Sequence, residues 1–192
     1  MTTRVPKAMA SLCLRDKVII VTGGNSGIGK AIVEALGSLG AKVVIDYRSH
    51  PDRTEELIEE IGELGGQAIG VQADVGKLED LQRLVDTAVK TFGKVDVMVN
   101  NAGIETRTSI LSTTPDDFDK VLNVNLRGVF FATQYAAKQM IAQGSGGRII
   151  TSPQCMRTGP CLTTRPIASP REASACSPEQ QGLNWLGKAS QL

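Results

Sequence analysis

Residues 17–30 read KVIIVTGGNSGIGK, and the rest of the chain is arranged around them. Val18, Ile19, Ile20 and Val21 form a short, wholly apolar, β-branched run, the pattern of a strand buried on both faces. Thr22-Gly23-Gly24-Asn25-Ser26-Gly27-Ile28-Gly29 follows at once, and a helical period begins over residues 31–36. A strand, a glycine-rich turn and a helix N-terminus in that order make an anion site. Glycine lets backbone approach a phosphate closely, and the unpaired first-turn N–H groups point at the negative charge.

The glycines sharpen this reading. Gly23, Gly27 and Gly29 spell T-G-x-x-x-G-x-G, which is neither the common dinucleotide fingerprint nor a P-loop, since no Gly-Lys-Ser/Thr follows. The plain alternative is a glycine turn joining any strand to any helix. The spacing resembles that of the short-chain dehydrogenase/reductase family, and the resemblance covers residues 14–150.

Further along, apolar runs at 42–45, 67–71, 95–99 and 148–150 read as four more strands. Between them lie helical patterns: one closed by Gly40, one from Thr54 carrying Leu57, Ile58, Ile61 and Leu64, and one over 78–92 capped by Gly93. Another follows Pro115, with Phe118, Val121, Leu122 and Leu126, and a last one spans 129–141. Strands alternating with such helices predict an α/β fold, a doubly wound parallel sheet of Rossmann type, incomplete after the fifth strand. Its ligand belongs at the carboxyl ends of the strands, where strand order reverses.

The resemblance implies a nicotinamide dinucleotide there. Gly23, Gly27 and Gly29 would cradle the pyrophosphate, with backbone contacts from Asn25, Ser26 and Ile28. Asp74 and Val75 match the family's position beside the adenine; on residue type alone Asp74 is equally a turn former. Asn100-Asn101-Ala102-Gly103 matches the family's N-N-A-G, in which Asn101, Ala102 and Gly103 line the cofactor. At the end of the second strand the family's discriminating acid falls at Tyr47, Asp46 stands one place early, and Arg48 follows. A guanidinium there accepts a 2′-phosphate in a bidentate manner. The cofactor reading is therefore NADP or NAD, with NADP favoured; the plain reading of Arg48 is a solvated surface residue.

The family's chemistry implies a tyrosine that exchanges the substrate proton, a lysine four residues on that lowers its pKa, and a serine thirteen residues before it. An asparagine holds a relay water, and Asn125 matches it; its alternative is a helix asparagine satisfied by backbone. The other three have no counterpart. No tyrosine follows Tyr135, and Tyr135 has Gln139 at plus four. Only Thr151 and Ser152 stand near the serine's place.

From residue 153 the composition changes: residues 153–192 hold five of the eight prolines and three of the four cysteines, with no sustained period. As protein this reads as a disordered tail. As nucleic acid it reads differently. Joining the last base of each codon to the first two of the next, Pro153/Gln154 permits serine, and the overlaps through Gly159/Pro160 permit Val-His-Glu-Asp-Trp-Pro. That resembles the segment after the catalytic serine in glucose 1-dehydrogenase-like members. Pro166/Ile167 then permits tyrosine and Pro170/Arg171 lysine, at the family's spacings. The expectation is a catalytic segment translated out of frame.

The chain is thus divided into a disordered leader (1–14), an NAD(P)-binding domain (15–152) and a disordered tail (153–192). Net charge of +1 offers no attraction for nucleic acid or an anionic membrane, and no apolar run approaches a bilayer span. Cys13, Cys155, Cys161 and Cys176 form no C-x-x-C pair and His50 is the single histidine, so neither a metal site nor a disulfide framework is expected. A cytoplasmic location is the default. The first functional reading is a short-chain oxidoreductase acting on a small carbonyl or alcohol, a sugar or similar, impaired in this sequence and with the family's homo-oligomer interface compromised. The other is a non-catalytic dinucleotide-binding module or inert truncated isoform.

Overall fold

The computed structural model describes residues 14–152 apart from 107 and 110. Five parallel strands form one sheet in the order β3-β2-β1-β4-β5: β1 (Val18–Val21), β2 (Lys42–Tyr47), β3 (Gln67–Gln72), β4 (Val97–Asn100) and β5 (Arg148–Thr151). Strand order reverses between β1 and β4, as a doubly wound sheet requires.

Period-two alternation divides the core. Val18 and Ile20 face one side with Leu81, Leu84 and Ala88 of α3 (Leu78–Phe92) and Ala132, Ala136 and Met140 of α5 (Val129–Ala142). Ile19 and Val21 face the other, with Val33 of α1 (Gly27–Ser38) and Leu57 and Ile61 of α2 (Pro51–Glu63). All four β1 side chains are essentially inaccessible, so each contributes about 1.5–3 kcal/mol of apolar burial. This is why the wholly apolar run had to be a central parallel strand.

Several boundaries move. The second helix starts at Pro51, not Thr54: His50 takes a left-handed conformation (φ 61) and Pro51 opens the first turn, where its missing N–H costs nothing. Its Leu64 lies past the last turn and is 52% exposed, so only Leu57 and Ile61 of the expected face are fully buried. The fourth strand begins at Val97, and Asp96 just before it donates its backbone N–H to the Val18 carbonyl while its carboxylate accepts the Val18 N–H, both at 2.9 Å. The pattern after Pro115 is not one helix: α4 (Pro115–Leu122) passes into a π-helical turn, Asn123–Gly128, before α5. Leu14, assigned to the leader, packs on the α1–α2 side of the core and donates its N–H to the Leu39 carbonyl at 3.2 Å. The rest of the leader, the tail and all four cysteines lie outside the described residues.

Among the described residues β3 and β5 are the sheet edges, and Ile150 on β5 is 52% exposed. Among the described residues no helix is long and apolar enough to cross a membrane.

Candidate functional site

The β1–α1 turn is built so that backbone, not side chain, faces the switch point. Gly23 turns the chain at φ 62, and Gly29 packs so closely that a Cβ on it would run into the Gly23 carbonyl oxygen. Ser26 is the N-cap residue of α1 but makes no side-chain cap bond, so the first-turn N–H groups of Gly27, Ile28 and Gly29 remain for an anion.

The loop after β4 is clipped onto this turn. Thr22 Oγ1 accepts the N–H groups of Asn101 and Ala102, both at 2.9 Å, while Asn101 Nδ2 donates to the carbonyls of Thr22 (3.0 Å) and Gly23 (3.3 Å). Asn100, behind it, donates to Thr133 Oγ1 of α5 at 3.0 Å. Asn25 ties the turn to the start of α2: its Nδ2 donates to the Ser49 carbonyl at 2.7 Å and to the His50 carbonyl and Thr54 Oγ1 at 3.2 Å.

These loops enclose one cleft of about 370 Å³ at the carboxyl ends of the strands. Gly23, Asn25, Ser26, Ile28 and Gly29 line one side, Asn101, Ala102 and Gly103 another. Arg48 at the end of β2 and Asp74 and Val75 after β3 complete the wall. Asp74 also forms a local turn, its Oδ1 accepting the Gly76 N–H at 2.9 Å, so both readings of that residue hold at once. Arg48 is exposed, and its guanidinium has no hydrogen-bond or ion-pair partner among the described residues.

Three expected site residues stand off the wall: Gly27, Tyr47 and Asn125. Gly27 (φ 53) sits behind the turn as the first helical residue. Tyr47 lies on the opposite face of β2, over Gly70, because successive strand residues alternate. Asn125 spends its amide on backbone: Oδ1 accepts the Ile104 N–H at 2.9 Å and Nδ2 donates to the Ile104 carbonyl at 2.8 Å. The π-helical turn aims it there. Asn123, two residues earlier, faces the other way and donates to the Gly76 carbonyl at 3.0 Å, and Gly128 lies so close to the Val75 carbonyl that a Cβ would not fit.

Asp46 occupies the wall position where Tyr47 was expected. It is 2% exposed and its Oδ2 accepts the Gly23 N–H at 3.2 Å. Burial pushes its carboxyl from 3.8 up to about 7; the Gly23 N–H opposes this, while Asp74 and Asp80 reinforce it. The strand's alternation was the signal that could have identified it. Ile104, Val124 and Ser152 also line the cleft and carry no motif.

The profile of the short chain dehydrogenase family matches residues 17–161. The chain belongs to that family. It is 44% identical over 137 residues to versicolorin reductase stcU of Emericella nidulans, covering 71% of this chain and 51% of that protein. An uncharacterized oxidoreductase of Methylorubrum extorquens is 42% identical over the same length, with 54% of it covered. The chain therefore spans about half the length of the curated relatives it matches. Among solved structures, a Mycobacterium marinum short-chain type dehydrogenase/reductase superposes with a TM-score of 0.70 at 32% identity, covering 76% of this chain and 59% of that one. A Serratia marcescens short-chain dehydrogenase/reductase mutant gives 0.66 at 40% identity, covering 72% and 55%.

Short-chain dehydrogenases are oxidoreductases that use NAD or NADP on small carbonyl and alcohol substrates. The residues present fit such a cofactor. The glycine turn leaves space a side chain would fill, first-turn N–H groups face it, and the wall carries one exposed guanidinium.

Proposed function

We propose that residues 14–152 of this short-chain dehydrogenase hold a nicotinamide dinucleotide across the β1–β4 switch point, with NADP preferred. The observation that carries the reading is the clip between Thr22 and Asn101, which sets the glycine turn and the loop after β4 on one cleft. N–H groups of Ile28 and Gly29 take the pyrophosphate, with Gly27 shaping the turn behind them, and Asp74 and Val75 flank the adenine. Arg48, exposed on that wall, takes the 2′-phosphate. Asn101, Ala102 and Gly103 support the nicotinamide half. When bound, the dinucleotide supplies or accepts the hydride exchanged with a carbonyl or alcohol carbon.

We further propose that this sequence is catalytically impaired. Proton exchange with the substrate oxygen needs a tyrosine and lysine over the cleft, and Tyr135 instead packs beside Phe131 on α5, ring centroids 6.2 Å apart, against the core. Residues 153–192 are read as the family's catalytic segment out of frame, with the hidden serine, tyrosine and lysine overlaps at the family's spacings.

Fluorescence titration with NADPH, run beside NADPH consumption over a carbonyl panel, tests both parts. Saturable binding without turnover is the expected result. Turnover at an ordinary enzymatic rate overturns the impairment, and absence of binding overturns the cofactor reading.

A further inference from the structure

Asp46 is locked in place. Its backbone carbonyl accepts the Gly24 N–H at 2.8 Å while its Oδ2 accepts the Gly23 N–H at 3.2 Å, so the carboxyl cannot swing out to water without releasing the glycine turn. Its Oδ1 is buried with no hydrogen-bond partner among the described residues. Two residues on, Arg48 lines the same wall, exposed. An acid and a guanidinium therefore share one end of the cleft, the acid dry and the base wet.

We infer that Asp46 makes the cleft's acceptance of a 2′-phosphate depend on pH: protonated, it admits the dianion beside Arg48, and ionised, it repels it. The inference rests on the dinucleotide reading above and extends it.

The surrounding charges set the sign. Asp74 faces Asp46 from the β3–α3 loop, and Asp80 and Arg83 face it from α3. Arg83 is hydrogen-bonded to Asp80, and the Asp74 N–H and that guanidinium hold the Asp80 carboxyl below the usual range, so Asp80 stays charged throughout. The glycine turn offers only its N–H groups. Lys30 of α1 is committed to Glu34 at 3.5 Å and Glu60 at 3.7 Å. Asp46 thus has no cation of its own and two acids beside it, and its carboxyl titrates at about 7. A bound dianion favours the neutral acid further, so binding takes up a proton. Above neutrality, affinity then falls with rising pH, approaching tenfold per pH unit.

The test is calorimetric titration of the full chain with NADPH and with NADH between about pH 7 and 8.5, where the 2′-phosphate is largely dianionic. Two buffers of different protonation enthalpy report the proton count. For NADPH the expected result is uptake of roughly half to one proton, with affinity falling about five- to tenfold per pH unit above neutrality. NADH is expected to change less than about twofold, and Asp46→Asn to remove both the uptake and the slope. NADPH binding without proton uptake, or an equal slope for NADH, overturns the inference and leaves the cofactor reading standing. Absence of binding at every pH overturns both. If Asp46→Asn fails to fold, proton uptake by the unaltered chain decides alone.

Discussion

Asn125 and Ile104 hold each other by two hydrogen bonds, the Ile104 N–H to Oδ1 at 2.9 Å and Nδ2 to the Ile104 carbonyl at 2.8 Å. One side chain thereby satisfies both backbone groups of a residue on the cleft wall. The π-helical turn makes this possible by shifting Asn125 out of α-helical register. Asn125→Ala is expected to cost about 1–3 kcal/mol, since both Ile104 groups lose their partner. Chemical denaturation measures the cost. NADPH affinity should fall with it, because the released loop forms part of the cleft.

Gly29→Ala is expected to weaken NADPH binding at least about tenfold, because a Cβ there meets the Gly23 carbonyl and the turn must open. The matched control is Gly62→Ala in α2, where nothing lies within 4 Å of an added Cβ. That substitution should raise stability by about 0.5–1 kcal/mol and leave binding unchanged. Equal effects at the two positions would remove the glycine turn from the site.

Arg48→Ala should separate the two cofactors. Loss of a guanidinium over a phosphate is expected to weaken NADPH by roughly tenfold or more while NADH changes little. Fluorescence titration with each reads the ratio. Parallel losses would place Arg48 outside phosphate recognition.

Asp46 also makes folding stability depend on pH. In the unfolded chain its carboxyl ionises near 3.8, and in the folded chain near 7, so the folded state binds the extra proton between those values. Stability therefore falls as pH rises across that window, by up to about 1.4 kcal/mol per pH unit, and levels off above it. Asp46→Asn should gain on the parent steadily from about pH 4 to 7 and keep that margin at higher pH. Thermal melts of both proteins across the range give the curve; a constant offset would show that Asp46 does not titrate there.

The tail carries a prediction in nucleic acid. Sequencing the transcript across codons 148–155 should reveal a shifted frame, and a chain expressed with the frame restored should turn over NADPH with a carbonyl substrate. An uninterrupted message encoding residues 153–192 in a well-expressed protein would defeat it.

Local rules were enough for the scaffold. Four β-branched residues followed by T-G-x-x-x-G-x-G specify a central strand, a turn without side chains and a helix start, and the alternation of patterns specifies a parallel sheet. Each depends on residues adjacent in the chain, so it is written in adjacent letters. Strand order left its mark only as a rule, yet it brought residues from 23 to 152 onto one cleft.

Packing decided the rest. That Asp46 and not Tyr47 faces the cleft depends on which side of β2 the core claims, a choice made by Val43 and Ile45 packing toward α1 and α2. The π-helical turn has no motif, since its extra residue is stabilised by distant groups at Val75, Gly76 and Ile104. Asp46 has an unusual proton affinity because tertiary structure removes its water and brings Asp74 and Asp80 near. Sequence determined where an anion could sit; only the folded chain decided which charges surround it, because desolvation and through-space charge belong to neighbours that the linear order does not name.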